Sequence, residues 1–85
     1  MTKISNNVSF GRVQDETLVY NSSNERILKL DRIGTKLWNM IYQGFSQDEI
    51  IGLCTKEYPS QETQINKDVI DFFEKMYNSE VIYDE

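Results

Sequence analysis

Of the side chains that commonly do chemistry in proteins, this 85-residue chain holds a single cysteine, Cys54, and no histidine. The commonest general base is therefore missing, and with it every Ser-His or Cys-His nucleophilic pair. One thiol without an imidazole cannot assemble a thiolate and imidazole zinc site either. The 14 carboxylates remain, yet paired-carboxylate catalysis needs a cleft that raises one pKa, and so short a chain leaves little scaffold for one. No Gly-rich loop is present to cradle a phosphate. These absences point to a protein that is not an enzyme, with no metal and no cofactor of its own. Cys54 reads as a buried small hydrophobe, because no basic cluster adjoins it in sequence to lower its pKa.

The net charge of −5 is unevenly divided. Residues 1–44 carry six Lys/Arg against four acids, and residues 45–85 carry three Lys against ten acids, so the halves stand at +2 and −7. Much of that acidity is explained by a solvated surface. At 39% apolar residues the chain can fill one small core, so residues 1–85 form a single domain. No stretch reaches the ~18 consecutive apolar residues of a membrane helix, and MTKISNNVSF lacks the apolar run of a signal peptide. The expectation is a cytoplasmic protein with no membrane partner.

The elements that must position any binding residues follow from the periodicity. Val8 and Phe10 before Arg12, a turn at Gln14-Asp15, and the strand formers Thr17 to Tyr20 predict two short strands. Asn21 to Asn24 is a cluster of residues whose side chains bond their own backbone, and Arg26-Ile27-Leu28-Lys29-Leu30 resumes an extended pattern. A three-stranded meander results. Asp31 is placed to cap a helix bearing Ile33, Leu37, Trp38 and Ile41, stopped at Gly44. Ser46 to Glu49 has the form of a capping box for a second helix carrying Ile50, Leu53 and Cys54, which Pro59 ends. A third helix runs from near Gln61 to about Asn78, and Val81-Ile82-Tyr83 forms a short extended tail. On that third helix the apolar set from Phe72 round to Ile70 spans roughly 160°, against the ~100° a surface helix buries. Part of this face is thereby free for a ligand, unless a small core uses all of it. Trp38 reads as a core plug of the first helix.

The predicted class is α+β: a winged helix-turn-helix-like order with a three-stranded antiparallel sheet followed by three helices. The motifs across Val8 to Tyr83 resemble the PqqD-like family, the RiPP recognition elements that serve ribosomally made and modified peptides. The resemblance is carried by Ile27-Leu28-Lys29-Leu30-Asp31, the small step Gly34-Thr35, the pair Leu37-Trp38, and Gly44-Phe45-Ser46. The third helix contributes Asp68, Phe72 and Met76 at fourfold spacing, and Val81-Ile82 matches the final apolar pair. Gln43-Gly44 replaces the commoner acidic-Gly pair, and Asn78-Ser79-Glu80 replaces the usual Gly before that final pair.

The resemblance implies a non-catalytic module in which the leader of a precursor peptide adds as a strand to the edge of the meander's third strand and lies toward the third helix. An edge strand offers unpaired N–H and C=O groups for such an addition. The expected peptide-binding residues are Arg26, Ile27, Leu28, Lys29 and Leu30 on the strand. Val69, Phe72, Phe73 and Met76 form an apolar wall opposite, rimmed by Asp68 and Lys75. Within the strand, Leu28 and Leu30 share the core face, and Ile27 and Lys29 the other. The implied second partner is a maturation enzyme, either a radical-SAM enzyme as in quinone-cofactor (PQQ) synthesis or a leader peptidase as in lasso-peptide assembly. Two other classes stay open: a winged-helix DNA-binding protein, and an adaptor that docks a partner helix. Residues 61–80 carry two Lys and five acids, which opposes the first, since phosphate neutralisation dominates DNA affinity.

Overall fold

The computed structural model describes residues 1–85. Its elements are β1 (Thr2–Ile4), β2 (Val8–Val13), β3 (Glu16–Asn21), β4 (Arg26–Leu30), α1 (Arg32–Tyr42), α2 (Gln47–Glu57), a 3₁₀ turn (Pro59–Gln61), α3 (Glu62–Asn78) and β5 (Ile82–Asp84). Strands β2, β3 and β4 form the expected antiparallel meander, with β3 central and both outer edges unpaired by the chain itself. Its register sets Phe10 opposite Val19 and Val19 opposite Leu28. Because opposed residues share a face, this row turns toward the helices together with Thr17 and Asn21, while Leu18, Tyr20 and Ile27 stand on the outer face. The loops are built by local polar bonds: Asn21 Oδ1 accepts from Ser23 N at 2.9 Å and Asn24 Oδ1 from Arg26 N at 3.0 Å.

The helices end where their caps place them. Asp31 Oδ1 accepts from Gly34 N at 2.8 Å to start α1, and Gly44 follows α1 at φ +97°, a backbone state that costs Gly little. Ser46 and Glu49 exchange side-chain bonds of 3.2 Å and 2.9 Å in a complete capping box. Accepting from the Ser46 backbone N–H, and then bonding its side chain, holds the Glu49 carboxyl below its ordinary pKa. Pro59 opens the 3₁₀ turn that redirects the chain into α3.

The meander and all three helices share one core. Val19 and Leu30 from the sheet meet Leu37, Trp38 and Ile41 of α1, Ile50 of α2, and Val69, Phe73 and Met76 of α3. A buried hydroxyl bond, Thr17 Oγ1 to Thr35 Oγ1 at 2.9 Å, ties the meander to α1. Trp38 is fully buried as expected, with Phe10 packed edge-on to it at 5.4 Å. Cys54 departs from expectation: it is half-buried, at the margin of the core.

The sequence reading has no counterpart for β1. Thr2–Ile4 pairs antiparallel with β5, Ile4 opposite Ile82, and so fastens the tail that delivers Val81 and Ile82 into the core. Thr2, Tyr77 and Asp84 form a polar cluster there, the Tyr77 hydroxyl donating to Asp84 at 2.7 Å. Partial burial raises the Tyr77 pKa, which keeps that proton in place. At the turn before the tail, Glu80 occupies φ +60°. Its carbonyl accepts from Asn21 Nδ2 at 2.9 Å and from Ser5 Oγ at 3.1 Å, and those two bonds pin the turn to the sheet.

Candidate functional site

A groove of about 330 Å³ runs between the β4–α1 junction and α3. Five of the residues expected from sequence line it: Lys29, Leu30, Asp68, Phe72 and Lys75. Asp31, Ile33, Gly34 and Leu37 line it as well, and none of these four was singled out from sequence as a contact. Their signal was present but ambiguous, because Asp31 and Gly34 read as cap and small step while Ile33 and Leu37 read as core. The floor is close-packed. A methyl group added at Gly34 would come within 3.3 Å of Leu30 and 3.4 Å of the Phe72 ring, so the absent side chain is what brings α1 against that ring.

The apolar wall expected on α3 divides. Phe72 is half-buried and faces the groove, whereas Val69, Phe73 and Met76 are at most 2% exposed and belong to the core. The reason is the angular spacing: Phe72 lies at one end of the wide apolar arc and Phe73 about 100° further round, within the core. None of those three lines this groove.

On β4, Leu30 is buried and Leu28 half-buried against the core, as the alternation requires, and Ile27 and Lys29 point outward. Arg26, Ile27 and Leu28 do not line the groove. Ile27, 67% exposed, sits on the outer sheet face beside its cross-strand partner Tyr20. A strand added at β4 would lie between these two environments, with alternate side chains meeting the groove and the outer face. The rims carry opposite charge as well as like: Lys29, bridged to Glu16 at 3.4 Å, and Lys75 stand on either side, and Asp68 accepts from Gln64 at 2.7 Å. What such a site can do is hold an extended chain by its main-chain groups and read side chains on one face. No group of three or more His, Cys, Asp or Glu is placed to bind a metal.

No curated protein matches the chain significantly. Among solved structures it is similar to TbiB1, determined in complex with the TbiA(beta) leader peptide, at a TM-score of 0.85 and 25% identity, over 98% of this chain and 99% of that one. The family model described as coenzyme PQQ synthesis protein D (PqqD) matches residues 16–82. That span runs from the first residue of β3 through β4 and all three helices into β5, so it contains every element that bounds the groove, and the chain belongs to the PqqD family.

Proposed function

We propose that this protein is a non-catalytic binding module that captures the leader of a ribosomally made precursor peptide by strand addition to β4 and presents the remainder to a maturation enzyme. The observation that carries this reading is the free edge of Arg26–Leu30 beside a groove floored by Phe72, in a fold that TbiB1 uses in a complex with a leader peptide. Each main-chain hydrogen bond formed on that edge contributes about 0.5–1.5 kcal/mol net. Apolar anchors over Phe72 and Leu37 supply the selectivity that main-chain bonds lack. The enzyme served is a radical-SAM protein or a leader peptidase. Calorimetry with a candidate precursor peptide tests the reading: the full-length precursor should bind and the leaderless core peptide should not. Equal affinity for both would overturn it.

A further inference from the structure

A second and larger cavity, about 800 Å³, opens between α1 and the α2–α3 pair, with the β2–β3 turn at its mouth. It adjoins the groove, since Ile33, Leu37 and Asp68 line both. Ile33 forms the saddle, 67% exposed on the first turn of α1. The walls are apolar at depth, where Leu37, Ile65 and Val69 belong to or pack on the core. Three cations line the opening: Arg12, Arg32 and Lys36. Lys36 is committed to Glu57 at 3.3 Å and lies 5.9 Å from the Tyr58 ring centre. Arg12 spends its Nε–H on the Gln14 carbonyl at 2.9 Å. Neither Arg12 nor Arg32 has a carboxylate within 4.0 Å, although Asp15 and Asp68 share the lining.

We infer that this cavity is a second subsite for the same leader, taking a bulky apolar or aromatic side chain into the space over Ile65 with an adjacent carboxylate on Arg32 or Arg12. The inference rests on the strand-addition reading, since it is a chain lying along β4 that would pass over Ile33 as it leaves the Leu30 end. Three features favour that occupant over water. The depth is apolar, two guanidinium groups lack a carboxylate partner, and the cavity shares Ile33, Leu37 and Asp68 with the groove. Arginine suits such a role because its planar donors grip a carboxylate in two bonds. The leader is thus expected to carry an acidic–aromatic pair just outside the segment that becomes a strand.

Backbone amide shifts with two capped dipeptides, N-acetyl-Asp-Phe-amide and N-acetyl-Lys-Phe-amide, test the subsite, as both are too short to add as a strand. The Asp-Phe probe should perturb Ile33, Tyr58 and Ile65, and its affinity should fall about fivefold on exchange for the Lys-Phe probe or on Arg32→Glu, the scale of one exposed charge pair. No perturbation there, or equal response to both probes, overturns the inference. A titration with the whole precursor separates the two claims. Shifts along β4 with a silent cavity overturn the subsite and leave strand addition standing; a silent β4 overturns strand addition, and with it the assignment of this cavity to the leader.

Discussion

Phe72 and Phe73 are adjacent, aromatic and on the same helix, yet they face different surroundings. Phe73, 1% exposed, fills the core, so Phe73→Ala should cost about 3–5 kcal/mol of stability through the cavity it leaves. Phe72 is half-buried over the groove, and Phe72→Ala should cost about 1–2 kcal/mol while weakening leader binding severely. Denaturant melts and calorimetry on both variants check this; equal, severe unfolding would place both rings in the scaffold. Glu80 supplies a second residue-scale expectation. A left-handed conformation costs a non-Gly residue about 1–2 kcal/mol, offset in part by the flexibility a Gly adds to the unfolded chain. Glu80→Gly should therefore stabilise the fold by about 0.5–1 kcal/mol, read as a higher melting temperature, even though it gives up the contact of the Glu80 carboxylate with Asn24 at 3.2 Å.

The helices were legible because their signals are local. Asp31, the Ser46–Glu49 box, Gly44 and Pro59 act within a turn of where they stand, and each ends or begins an element in the structure as the spacing predicts. The capping box gives a test with a definite sign. Glu49 is held below its ordinary value of 4.5 in the fold, so the stability it lends is fully present above that value and is lost as pH falls through its lower folded pKa. Ser46→Ala should cost about 1 kcal/mol near neutral pH, and Glu49→Gln should be less stable than wild type near neutral pH but converge with it in acid, in melts followed across that range. By contrast, β1 was not legible. Three residues, Thr2–Ile4, carry almost no pattern, and their partner strand lies at the other end of the chain. The division of the α3 wall was equally hidden, since an apolar arc specifies which residues seek burial and not which of them a small core has room to cover. The cavity behind Ile33 draws its walls from four separate stretches of chain, so no single window of sequence contains it.

At the scale of the whole molecule, charge and edges decide between partners. The acidic second half argues against phosphate-backbone binding: α3 carries Lys67 and Lys75 against Glu62, Asp68, Asp71 and Glu74. Leader binding by main-chain bonds and apolar anchors should weaken by less than about tenfold between ~0.05 and ~0.5 M salt, whereas duplex DNA binding would fall steeply as counterions are released. Measurable DNA affinity with a steep salt slope and no peptide binding would reverse the assignment. Both outer edges of the meander are open, β2 and β4, and of these only β4 adjoins the groove built from Leu30, Gly34 and Phe72. Backbone amide shifts of the labelled protein on adding the leader therefore test the central claim most directly. The account predicts that they concentrate on Arg26–Leu30 and around Phe72; shifts confined to β2 and the exposed face of α1 would contradict it.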